Sequence, residues 1–319
     1  ILISVVLSLS FCLSSFAQEV RFQNIETRLS FLGEIILSIA DDSSREDANM
    51  VFLTTLEKVL KDPNSFSYPF DNVPNLAVLT PEDSSFRIFN WNFPGSDSEF
   101  TFHAIIQKKE NDTVKIFILS DHSDDIVNPE HQELNPDNWY GALYYQIIQK
   151  QFNGQKTYTL LGWDGFDRYS NKKIIEILCF ENNEPIFGKA IFPDWNNTQQ
   201  LRVIFEYNER SAFSLRYDDQ ALIEKTRKNK IRPGEGMYNY NEIPTGMIAF
   251  NRLEPMHPEL QGDFKYYIAR SELVDGFVFE NGFWHFHSEV DAQNRQMQDT
   301  SFQRPDDLNL FPEKKEDRK

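Results

Sequence analysis

The chain has 319 residues, 40% hydrophobic and 25% charged, with 28 Phe, 12 Tyr and 5 Trp. This composition supplies a large core and excludes a disordered, collagen-like or disulfide-dense protein. Asp and Glu outnumber Lys and Arg by 49 to 32, a formal net charge of −17, so nucleic acid and anionic lipid are repelled and neither is expected as a partner.

Residues 1–17, ILISVVLSLSFCLSSFA, are an apolar run ending in small residues, with Ser15 and Ala17 placed for a cut before Gln18. The segment reads as a secretory signal peptide and predicts a secreted or periplasmic protein. It is shorter than the roughly 20 apolar residues a membrane span needs, and no second such run follows, so no span is expected in the mature chain. Cys12 follows Phe11 where lipid attachment wants a small residue. Removal of the leader would leave Cys179 alone and exclude an internal disulfide. Its setting in KKIIEILCF marks a buried small hydrophobe rather than a nucleophile.

In residues 18–62, Phe22, Ile25, Leu29, Leu32, Ile36 and Ile39 recur at helical spacing and predict a helix over 21–40. Ser44 followed by Asp47 reads as the cap of a second helix carrying Ala48, Val51, Phe52, Leu56, Val59 and Leu60, stopped by Asp62-Pro63. The two form a helical hairpin whose stripes are expected to pack on each other or on the following domain. Residues 63–85, rich in proline and without a period, read as a surface linker.

From Phe86 to residue 292 short aromatic and β-branched runs alternate with turn residues, which predicts a mainly β domain, an antiparallel meander. A propeller-like array is preferred, with a two-sheet sandwich as the alternative. LRVIFEYN alternates, as a strand with one wet face does. KIIEILCF is apolar on both parities, as a central strand is. Asn153-Gly154 and Asn281-Gly282 are hairpin signals, because a type I′ turn needs positive φ at both central residues. Residues 224–243 read as an exposed loop and 293–319 as a polar, frayed tail.

The segments Asn138-Trp139-Tyr140-Gly141-Ala142-Leu143-Tyr144-Tyr145 and Tyr158-Thr159-Leu160-Leu161-Gly162-Trp163-Asp164-Gly165 resemble an uncharacterised family of secreted bacterial proteins. Lys172-Lys173-Ile174-Ile175-Glu176, Arg202 to Tyr207, and Asp275-Gly276-Phe277 with Trp284 extend the likeness over about residues 86–292. The resemblance implies an exported protein with a helical front end and implies no activity. Where that family tends to carry Asp-His-Leu, this chain has Asn251-Arg252-Leu253.

His285, His287 and Glu289 are spaced to share one strand face, and two imidazoles with a carboxylate can bind a transition metal. The opposite face, Trp284, Phe286 and Val290, is apolar, so the triplet also reads as the wet side of a hairpin. Asp121, His122, Asp124 and Asp125 form an acidic cluster suited to Ca²⁺ or to acid and base work, without the ordered loop spacing of a calcium site. Asp164, Gly165 and Asp167 form a similar oxygen-rich turn. Trp91, Trp139, Trp163 and Trp195 are core fillers or a sugar-stacking platform, with Trp195 the most loop-like. Trp195, Trp163 and Asp164 are accordingly the candidate ligand-binding residues. No Gly-x-Ser-x-Gly, His-Glu-x-x-His, P-loop or dinucleotide motif is present, and no cofactor is indicated. The expectation is an exported, non-enzymatic recognition or structural protein of the cell envelope, with an envelope protein or a glycan as partner. The alternatives are a secreted hydrolase of glycans or other polymers using a carboxylate pair, and a metal-binding protein.

Overall fold

The computed structural model describes residues 2–95, 99–196, 199–219 and 246–290, with side chains from Gln18 onward. Helix α1 runs from Leu2 to Ser38, so the leader-like segment continues without a break into the amphipathic helix expected to begin near residue 21. Helix α2 spans Asp42–Leu60. Its cap is Asp41 and not Ser44: Asp41 has extended backbone and its carboxylate accepts the Ser44 amide at 2.9 Å.

The proline-rich segment 63–85 is more than a linker. After a 3-10 turn at Pro63–Ser67 it supplies β1 (Ala77–Leu79), the edge strand of the first sheet. That sheet continues through β2 (Phe86–Pro94), β3 (Phe100–Glu110) and β4 (Thr113–Leu119) in simple antiparallel order. The second holds β5 (Leu143–Phe152), β6 (Gln155–Asp164), β7 (Ser170–Glu181) and β8 (Glu184–Phe187), with β9 (Val203–Asn208) paired to β7. The third holds β10 (Leu215–Asp218), β11 (Met247–Pro255), β12 (Tyr267–Glu280) and β13 (Phe283–His287).

Strand parity decides how these layers stack, because alternate side chains leave a sheet on opposite faces. In the first sheet Phe89, Trp91, Phe93 and Ile105 meet Phe22, Leu29, Phe52 and Leu56 of the helical hairpin. The other parity, Ile88, Phe102, Ala104 and Ile106, meets Tyr158, Leu160, Ile174 and Leu178 of the second sheet. The reverse face of that sheet, Leu161, Ile175, Ile177, Val203 and Phe205, meets Ile248, Phe250, Phe277 and Trp284 of the third. A bulge at Tyr145 in β5 reverses the parity there, so Tyr144 and Ile147 face the same side.

The mainly β meander with a helical front end is therefore what the chain forms, but with three sheets rather than a two-sheet sandwich. The outer face of the third sheet packs Met247, Ala249 and Val278 with Val274 and Val290 only, so the described residues make an open series of layers and close no propeller ring. Asn153-Gly154 and Asn281-Gly282 turn the β5–β6 and β12–β13 hairpins with positive φ at both positions. β7 is central, paired on both sides and buried on both faces from Ile174 to Cys179. The expected loop 224–243 and tail 293–319 lie outside the described residues.

Candidate functional site

The start of β3 with Glu99 before it, the β4–β5 connection and the β6–β7 turn meet at one end of the first and second sheets. The β4–β5 connection, residues 120–142, has little regular structure and is held by its own bonds. Trp139 N–H donates to Ser120 O at 3.0 Å and His122 N–H to Trp139 O at 2.9 Å. The Trp139 indole is fully buried and its Nε1 donates to Tyr144 Oη at 2.9 Å. Arg202, also fully buried, donates to Gln132 O at 2.8 Å and Phe187 O at 3.1 Å, to Pro129 O, and through Nε to Glu176 Oε2 at 2.7 Å. This guanidinium ties the connection to the second sheet.

Asp121 ties it to the first. Its carboxylate accepts the amides of Phe102 (3.2 Å), Ser123 (3.0 Å) and Gly141 (3.1 Å) and the Ser123 hydroxyl (2.7 Å). Gly141 is required by this approach, since a methyl there would fall 2.3 Å from the carboxylate. Asp167 likewise accepts the amides of Tyr169 and Ser170 and folds the β6–β7 turn.

Between these loops lies an open cavity of about 220 Å³ lined by Glu99, Phe100, Asp121, Asp124, Asp125, Tyr140, Asp164, Phe166 and Lys172, with His122, Ser123 and Thr101. Its floor is a polar chain of the buried Tyr140 and Asp164 with the half-buried Lys172. Asp164 and Lys172 are cross-strand partners on β6 and β7, and Tyr140 stands between their side chains. Lys172 Nζ donates to Tyr140 Oη at 3.3 Å, and Tyr140 Oη donates to Asp164 Oδ2 at 3.4 Å. The Lys172 ammonium also lies over the Phe166 ring, 3.0 Å from its centre.

Burial pushes Asp164 up from 3.8 to about 7; Lys172 opposes the shift, while Asp121 and Asp124 add to it. Burial lowers Lys172, against the pull of Asp164, Glu206, Asp124 and Glu130. Tyr140 is held above its ordinary value by burial and by Asp164. Among the described residues none of the rim carboxylates Glu99, Asp124 and Asp125 is in an ion pair.

The structure thus brings together two clusters that read separately in the sequence, Asp121 to Asp125 and Asp164 with its turn. Trp163 neighbours the site from within the core, edge-on to Phe100 and Phe102 at 5.1 and 6.4 Å. Trp195 is no open sugar platform. Its indole is partly buried and edge-on to Phe205, Phe250, Phe277 and Phe286, all within 6.0 Å, because Ile191, Phe192 and Trp195 fold back on the second core.

His285, His287 and Glu289 do not converge. His285 Nδ1 is 2.7 Å from Asp194 Oδ2, Glu289 lies past the end of β13 with φ 54° and pairs with Arg252, and no group of three metal-ligating side chains is gathered among the described residues. The turn after His287 breaks the strand alternation that would have put Glu289 beside the imidazoles. Cys179 is buried, its thiol pushed up by desolvation.

No family model, curated protein or solved structure matches the chain. Among the described residues no helix is long and apolar enough to cross a membrane. Phe100, Phe166, Lys172 and Tyr140 line the site without belonging to a local motif that marks them. One signal was present: opposite charges at Asp164 and Lys172 flank the turn GFDRYSN at positions that pair across a hairpin.

Proposed function

We propose that the protein is an exported, non-enzymatic recognition protein of the cell envelope that holds its ligand in the cleft between the first two sheets. The observation that carries this reading is the concave cluster of polar groups on loops over a packed scaffold, which is where binding residues concentrate. Export is supported by the leader-like segment 1–17 and by the resemblance over residues 86–292. Two measurements test the proposal. Fractionation of tagged cells is expected to find the processed chain outside the cytosol; an unprocessed cytosolic chain overturns export. Screening of envelope glycans, peptides and amines by chemical-shift perturbation is expected to move Phe100, Tyr140 and Phe166. Shifts confined to other surfaces overturn the cleft as the site.

A second reading, a hydrolase of glycans or other polymers, is favoured by one feature. Asp164 keeps its proton to about 7 beside Asp121 and Asp124, as a general acid must beside an ionised carboxylate. It predicts release of reducing ends from a polysaccharide, lost by about a thousandfold or more in Asp164→Asn. A wild-type chain without turnover on such polymers removes it.

A further inference from the structure

We propose that the cleft takes a ligand bearing a primary ammonium group, a polyamine or a lysine side chain of a partner peptide, and that Lys172 is the chain's own occupant of that place. This rests on the reading of the cleft as a recognition site. The first observation is the environment of the Lys172 ammonium. It sits on the open face of Phe166, touches the Tyr140 hydroxyl and lies in the field of Asp164, Glu206, Asp124 and Glu130. An aromatic face, an oxygen acceptor and nearby carboxylates are the set that holds an ammonium, whose three N–H groups donate and accept nothing.

The second observation is the imbalance around it. Asp121 is consumed by four hydrogen bonds of the scaffold, but Glu99, Asp124 and Asp125 line the same cavity and, among the described residues, form no ion pair. Asp124 and Asp125 are exposed, so their charge faces an incoming ligand. Like charge excludes anions from this cleft and focuses cations into it. The Phe166 ring beside these carboxylates suits an organic cation, since an aromatic face and carboxylate oxygens together hold an ammonium. Such a ligand either displaces Lys172 from Phe166 or seats beside it against the rim.

The experiment uses the full chain at about 0.15 M ionic strength, to screen diffuse attraction. Spermidine and a lysyl tripeptide amide are titrated by chemical-shift perturbation, with their N-acetylated forms and a neutral oligosaccharide as controls. Saturable shifts at Phe100, Tyr140 and Phe166 are expected with at least one amine and not with its acetylated form; which amine binds distinguishes the small-molecule source from the peptide source. Asp124→Asn with Asp125→Asn, both exposed, is expected to weaken binding about tenfold. Lys172→Met, which frees the Phe166 face, is expected to strengthen it about fivefold. Equal binding of acetylated forms, or binding of the oligosaccharide alone, overturns the ammonium proposal and leaves the recognition reading standing. No ligand shifting the cleft overturns both. Weaker binding by a folded Lys172→Met variant overturns the role given to Lys172.

Discussion

Glu176 and Asp164 are buried carboxyl groups on neighbouring strands of the same sheet, both on the parity that faces the first sheet, and they are served differently. Glu176 accepts Arg202 Nε at 2.7 Å and the Ile177 amide at 2.9 Å, and every other arm of that guanidinium ends on a backbone carbonyl. Asp164 has Tyr140 at 3.4 Å, and its hydrogen-bond route to Lys172 runs through that hydroxyl. A fully satisfied buried pair specifies structure, and here it fastens the loop that forms one wall of the cleft. A sparsely satisfied one at the floor of an open cavity retains capacity for a ligand. The lesson is that burial of charge alone does not separate scaffold from site; the count of good partners does.

The sharpest way to break this comparison is Arg202→Ala, which strands Glu176 without a cation. It is expected to cost about 3–5 kcal/mol in urea unfolding and to loosen residues 120–142 in hydrogen exchange. A loss below about 1 kcal/mol would mean the pair is not the anchor described.

Asp164→Asn should act in the opposite direction, with a sign set by pH. The unfolded chain releases this proton near 3.8 and the folded chain near 7, so the carboxyl's contribution is complete below about 3.8 and is lost as pH rises to about 7. The variant is therefore expected to match wild type at pH 4 and to exceed it by up to about 4 kcal/mol at pH 8. Urea titrations at the two values check it. Equal stabilities at pH 8 would mean that burial does not disfavour the Asp164 carboxylate.

His103 supplies a contrast of the other sign, away from the cleft. It stacks on Trp91 and Phe93, its Nε2 accepts Asn49 Nδ2 at 3.1 Å, and burial pushes it down to about 4. Its contribution is complete above about 6.5 and is lost as pH falls toward 4, worth about 2–3 kcal/mol, a slope that His103→Gln should remove. Gly141→Ala is the smallest of the four changes. Displacing the Asp121 carboxylate should cost about 2 kcal/mol and shift the cleft resonances more than those of the third sheet.

How much of this was legible in advance follows from the range of the forces involved. Helical spacing from Phe22 to Ile36, the two Asn-Gly turns and the doubly apolar run of β7 report contacts a few residues apart, and each folds as its pattern predicts. The edge strand at Ala77–Leu79 was hidden among prolines because it has little pattern of its own and is created by β2 beside it. Trp195 looked loop-like from PDWNNT and is packed among four phenylalanines drawn from β9, β11, β12 and β13.

The site was legible only in fragments. The acidic residues at 121–125 and the turn after Asp164 could be read one at a time, each as an ordinary solvated turn. Local pattern sufficed for the composition of the core, the elements and their turns, since hydrophobic period and backbone φ preference are written residue by residue. The three-sheet stack, and the meeting of Asp164, Tyr140 and Lys172 beneath Asp124 and Asp125, belong to tertiary structure alone. Desolvation and charge coupling depend on which distant surfaces exclude water together, and no single segment carries that information.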